Sequence, residues 1–135
     1  MIVVDVTVLG YYLIEGAGTD AVVGLRRRDP EWAAPSLWRS ELMNVLWKYV
    51  RRGDFGLDLA MEHFELATDL VGPRTFEVTA AEVLPLAAAS GCSAYDCHYV
   101  ALAERLDVRL ATNDRQVLQA FPARAVLPEH AGRPS

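Results

Sequence analysis

The feature that most constrains this chain is the alternation of very short apolar runs with longer segments of helical period. Ile2-Val3-Val4 is a β-branched run that stops at Asp5, after which Val6, Leu9, Leu13 and Ile14 recur at helical spacing. A run of three or four apolar residues is too short for a buried helix, and without polar alternation it leaves no face for water. Such runs therefore read as strands buried on both sides. Strands of this kind alternating with helices specify an α/β domain with a mostly parallel sheet covered on both faces. The length, 135 residues, suits one core of that type.

The pattern continues along the chain. Gly16 to Gly18 break the first helix, and Thr19 or Asp20 can cap a second one that Asp29-Pro30 stops. Trp32 to Pro35 reads as a short strand or extended link. Ser36 reads as the N-cap of a long helix from Leu37, ended by Gly53, with Leu42, Val45, Leu46, Tyr49 and Val50 in its apolar stripe. A helix over Leu57 to Leu70 makes a helical hairpin with it. Thr75 to Val78 is a weak strand, and Ala80 to Ala89 a helix entered from Thr79 with Pro85 inside it. Ser93 caps a helix over Ala94 to Leu106, where Tyr95, Tyr99, Leu102 and Leu106 share a stripe. Val108 to Ala111 reads as a strand, Asn113 to Ala120 as a short helix and Ala125 to Leu127 as the last strand. Residues 1–128 are expected to form a single domain, and 129–135 a flexible C-terminal tail.

Several classes are excluded on simple grounds. The apolar start lacks a preceding basic segment and is interrupted by Asp5, unlike a secretion signal. No stretch approaches the roughly 20 apolar residues that span a bilayer, so the expectation is a cytoplasmic protein with no membrane partner. Cys92 and Cys97 read as reduced thiols, because a core of this size needs no disulfide. Cys92, Cys97 and His98 are too few for a structural zinc site, and His63 and His130 lie far away in sequence. A formal charge of -5 argues against nucleic-acid binding through a broad basic surface.

Four acids do not fit the background pattern. Asp5 follows the first strand, and Asp114 lies three residues after the strand ending at Ala111. In open parallel sheets ligands sit beyond the carboxyl ends of the strands, so these two acids are expected at one rim. Glu41 and Asp96 lie in the early turns of their helices and can project toward the same rim. Gathering four anions is unfavourable unless a cation intervenes. Hard oxygen ligands select Mg²⁺, with Mn²⁺ as substitute, and such an ion can activate water and neutralise a phosphate.

The segments around these acids are VVDVTVL, SELMNVLWK, YDCHYVALAERL and LATND. Their order, spacing and context resemble a PIN domain of the VapC toxin type, from about Ile2 to Leu127. That resemblance implies a three-layer α/β/α sandwich with a parallel sheet of about five strands. It also implies a metal-dependent endoribonuclease, the toxin component of a toxin-antitoxin pair, with Asp5, Glu41, Asp96 and Asp114 as catalytic and metal-binding residues. Thr112 matches a hydroxyl position near the fourth acid and Asn44 a polar companion of Glu41. A cognate antitoxin protein, an RNA substrate and a homodimer are the partners it implies. Cys97-His98 depart from the small residue expected after the third acid.

Other readings stand beside this one. Asp5 and Asp114 could be helix caps, and Ser93 to Asp96 fits a capping box, although Glu41 lies beyond the first turn of its helix. Asn44 reads equally as a surface or helix-helix group. Trp38, Trp47 and Tyr49 read as core or interface rather than as an RNA stacking platform, and Arg26 to Arg28 and Arg51-Arg52 as solvated helix ends. A phosphatase of the haloacid dehalogenase kind is weakened because Thr7 stands where its loop needs a second Asp. A non-enzymatic protein-binding domain would keep the fold without needing all four acids.

Overall fold

The computed structural model describes residues 1–132. Five strands form one sheet: β1 (Ile2–Val4), β2 (Trp32–Pro35), β3 (Thr75–Phe76), β4 (Leu110–Ala111) and β5 (Ala125–Val126). Every neighbouring pair is parallel, in the order β3-β2-β1-β4-β5. Seven helices flank it: α1 (Val6–Leu13), α2 (Thr19–Arg28), α3 (Trp38–Arg52), α4 (Leu57–Val71), α5 (Ala80–Ser90), α6 (Ala94–Leu106) and α7 (Arg115–Ala120). The result is the expected three-layer α/β/α sandwich. All seven residues of β1 and β2 are buried, as strands covered on both faces must be. α6 packs along β1, β2 and β4 and carries α5 with it, while α1, α3 and α4 pack on one another.

Local chemistry sets most boundaries. Thr79 and Glu82 make a reciprocal capping box at the start of α5. Gly53 ends α3 at φ 82°, a left-handed conformation that glycine adopts without a Cβ clash. Pro85 does not break α5; it and Ala81, whose carbonyl loses its partner, are both exposed, so water can satisfy the freed oxygen.

Several expectations need correction. Ser36 does not cap α3, which begins at Trp38 with no side-chain cap; the Ser36 amide instead donates to Phe76 O and extends the β2–β3 ladder. α7 begins at Arg115, capped by Asp114, rather than at Asn113. Ser93 caps α6 by accepting the Asp96 amide, without the return bond of a capping box. β3, β4 and β5 are shorter than the apolar runs that predict them. The expected tail from 129 does not hang free at its start: Pro128–His130 form a 3₁₀ turn, and Ala131 is buried. Arg28 Nε donates to Ala131 O at 3.0 Å and its Nη2 to Pro128 O at 2.9 Å, holding this turn against α2. Residues 133–135 lie outside the described residues.

The strand order decides where a site can form. Sequentially distant β1 and β4 lie side by side, with β2 on the other flank of β1, so the chain leaves β1 and β4 in different directions. A crevice opens beyond the carboxyl ends of strands at such a reversal.

Candidate active site

Asp5 and Thr112 emerge from β1 and β4 at this crevice. Asp5 is the N-cap of α1: its Oδ1 accepts from the Thr7 amide at 3.1 Å, the Val8 amide at 3.1 Å and the Thr7 hydroxyl at 2.6 Å. Its Oδ2 accepts from the Thr112 hydroxyl at 2.5 Å. The Thr112 oxygen in turn accepts the Asp114 amide at 3.0 Å. Because the Thr112 hydroxyl receives from an amide, its single proton is free for Asp5, and the side chain ties β4 to β1 across the crevice. Asp114 caps α7 by accepting the Val117 amide. The capping readings of Asp5 and Asp114 are therefore correct, and compatible with a site: each cap uses one carboxylate oxygen, and the second oxygen of Asp5, which accepts one hydrogen bond from Thr112, keeps a further lone pair.

Glu41 arrives from the first turn of α3, not from beyond it as the sequence suggests, because α3 begins at Trp38, and Asp96 from the first turn of α6. The four acids, with Thr7, Tyr99 and Thr112, line one cavity of about 60 Å³. That volume admits an ion or a few waters but no nucleotide ring. The Tyr99 phenol, buried at the cavity wall, donates to Glu41 Oε1 at 2.5 Å. Asn44, by contrast, is exposed and does not line the cavity.

The electrostatics are those of an anionic cluster short of positive charge. Among the described residues no Lys or Arg lines the cavity, and none of the four acids forms an ion pair. Burial pushes the Asp5 carboxyl above its ordinary range, opposed by the donors from Thr112, Thr7 and Val8. Burial also raises Glu41, opposed by the Tyr99 hydrogen bond; the charges of Asp5 and Asp96 raise it further and the His98 charge opposes them. Asp96 is raised by burial and by Asp114, against the Ser93 side chain. The Tyr99 phenol is driven far above its ordinary value by burial and by the Glu41 charge, so it stays a donor.

These features suit a hard divalent cation by donor type and charge: carboxylate oxygens, a deficit of positive charge and no thiolate or imidazole in the cavity wall. The side chains are nonetheless an open set. Among the described residues no three acidic, His or Cys groups stand at metal-ligand spacing. Tyr99 and Thr112 hold Glu41 and Asp5 from the protein side.

Two wall residues are not singled out by the sequence reading. Thr7 stands two residues after the cap Asp5, a spacing that favours a hydroxyl bond back to the carboxylate. Tyr99 lies three residues after Asp96 and so shares its helix face, but its place in the apolar stripe conceals it. Cys92 and Cys97 are buried free thiols, and burial raises the Cys97 thiol above its ordinary value.

The sequence model of the PIN domain matches residues 2–122, nearly the whole described chain. The chain belongs to the PIN domain family. The four acids of this PIN domain thus fall within the matched region. It is 35% identical over 86 residues to Ribonuclease VapC3 of Pyrobaculum aerophilum, a match covering 62% of this chain and 66% of that relative, just under two thirds of its length. The crystal structure of PAE2754 from the same organism superposes with a TM-score of 0.72 at 26% identity, covering 92% of this chain and 81% of that one. FitAcB from Neisseria gonorrhoeae superposes with a TM-score of 0.75 at 18% identity, covering 96% and 99%, a likeness of fold alone. The resemblance to the VapC type of PIN domain therefore stands.

Proposed function

We propose that this PIN domain is a metal-dependent endoribonuclease, the toxin of a toxin-antitoxin pair. The observation that carries this reading is the cavity at the β1–β4 reversal, where four carboxylates from separate parts of the chain share one wall that, among the described residues, has no Lys or Arg. The similarity to Ribonuclease VapC3 supports RNA as the substrate.

Asp5, Glu41, Asp96 and Asp114 would hold Mg²⁺ or Mn²⁺. When bound, such an ion supplies an activated water and offsets charge on the phosphate during in-line displacement. The protein's own contribution is positional. Thr7, Val8 and Thr112 fix the Asp5 carboxylate and favour its ionised form. Tyr99 does the same for Glu41. The cavity is too small for a base, so the scissile phosphate would meet the acids at the mouth, from an unpaired strand that can approach closely.

For partners, the α3–α4 hairpin supports the expected antitoxin and homodimer contacts. Met43, Trp47, Leu57 and Met61 are all more than half exposed and share one apolar groove, a pattern typical of interaction surfaces. No helix among the described residues is long and apolar enough to cross a membrane.

Incubation of total RNA with the purified protein tests the reading. Cleavage should require Mg²⁺ or Mn²⁺, stop with a chelator and disappear in Asp96→Asn. Cleavage that persists in the chelator or in that variant would refute the proposed chemistry.

A further inference from the structure

A second cavity adjoins the acidic one. It holds about 190 Å³ between α1 and α3 and shares Val6 and Thr7 with the acidic wall, so the two are immediate neighbours. Its far side is formed by Gly10, Tyr11, Val45 and Tyr49. Thr7 and Tyr11 are one helical turn apart, about 6 Å along α1. The groove is about three times the size of the acidic cavity and, unlike it, has room for an aromatic ring.

Three details distinguish it from an ordinary surface dent. Gly10 lies inside α1, where glycine costs about 1 kcal/mol relative to alanine. Crowding does not require it: a Cβ there would meet no atom within 4 Å and would project into open space. Its effect is to leave the groove clear. Tyr11 is 40% exposed, yet its ring is backed by Gly18, where a Cβ would meet three ring carbons at 2.6–2.9 Å. The segment carrying that ring is held by the Thr19 hydroxyl, which donates to Tyr11 O at 2.7 Å. One ring face is thus supported by backbone while the side chain remains open to solvent. Tyr49 is braced by Phe55, with ring centroids 5.4 Å apart and planes 5° from parallel.

We propose that this groove binds the base of the nucleotide adjoining the cleaved phosphodiester of a single-stranded RNA, with Tyr11 as the surface on which that base stacks. The inference rests on the ribonuclease reading, since it places the phosphate at the acidic mouth and the base one helical turn away. An uncharged aromatic ring suits the site: the walls are apolar with two tyrosines, and a planar base can stack without a dedicated hydrogen-bond code. Base preference next to the cleavage point would then come from the shape of the groove.

The test uses the intact chain and its Gly10→Leu, Tyr11→Ala and Tyr11→Trp variants. Short fluorescein-labelled strands of oligo(U), oligo(A) and oligo(C), and an abasic strand of equal length, are titrated by anisotropy at low salt in EDTA. Cleavage of total RNA with Mn²⁺ is followed in parallel. The native chain should prefer at least one base-bearing strand over the abasic strand by about fivefold or more, the lower range for one stacked base. Gly10→Leu, which fills the groove and improves helix propensity, should erase that preference without lowering the thermal midpoint. Tyr11→Ala should erase it too, Tyr11→Trp should retain it, and abasic affinity should not move. If the native chain cleaves RNA but shows no preference over the abasic strand, or if both disruptive variants keep the preference, the base subsite is refuted and the ribonuclease reading stands. A native chain that neither binds nor cleaves RNA refutes both. A change in sedimentation for Gly10→Leu with base preference intact assigns the groove to a second copy and refutes the subsite.

Discussion

Replacing Thr112 by valine would test whether the β1–β4 crevice is held together as the hydrogen bonds indicate. Thr112 is fully buried, so water cannot take over its role. Valine keeps the shape, so no cavity opens. What is lost is the hydroxyl bond to the half-buried Asp5 carboxylate, worth about 1.5–3 kcal/mol for a charged acceptor. The Asp114 amide also loses its acceptor, at about 1 kcal/mol because Asp114 is partly exposed. Together these predict a loss of about 3 kcal/mol, or about 10 °C in thermal midpoint for a chain of this size. Thr112→Ser keeps the hydroxyl and should lose about 1 kcal/mol or less. The hydroxyl lowers the Asp5 pKa against the rise from burial, so its removal raises that pKa further. The cost of valine should therefore be largest where Asp5 is ionised and shrink as pH falls through its titration. Urea melts of the three proteins in EDTA at several pH values measure this. A valine cost that is the same at every pH, or a serine variant as unstable as valine, would refute a bond to the ionised carboxylate.

Further outcomes follow from the same site. Asp5, Glu41 and Asp96 are all raised, so the folded chain binds more protons than the unfolded one between the ordinary carboxylate range near 4 and their raised values. Stability of the metal-free protein should thus decline as pH rises through that window, and Mn²⁺ should flatten the decline; calorimetry showing a rise instead would contradict the cluster electrostatics. Asp96→Asn removes one repelling charge and should raise the thermal midpoint in EDTA at neutral pH while RNA cleavage is lost. Tyr99→Phe frees Glu41 from its anchor and should weaken Mn²⁺ affinity by about tenfold with an unchanged circular dichroism spectrum. Unaltered affinity in a Mn²⁺ titration would leave Tyr99 a packing residue only.

The fold was legible because burial on both faces leaves a strong local record. Ile2-Val3-Val4 and Trp32 to Pro35 have no polar residue to offer water, and the intervening periodic segments can only be crossovers. Glycines and caps punctuate the helices within a residue or two, as at Gly53, Gly91 and Thr79. The misjudged points share a cause. Ser36 has the chemistry of a cap, but its amide is taken by β3, a partner forty residues away. The start of the expected tail is polar enough to read as loose, yet Arg28, a hundred residues earlier, holds it.

The sequence by itself determined the strand-helix alternation, the parallel sheet and the four unusual acids, because periodicity and residue type act through neighbours in the chain. Only the tertiary structure decided that β4 lies beside β1, that Tyr99 faces Glu41 rather than the core alone, and that a glycine in α1 keeps a groove open. Those facts depend on which distant surfaces meet, and a hydrogen bond spanning 58 residues leaves no mark on the pattern of either segment it joins.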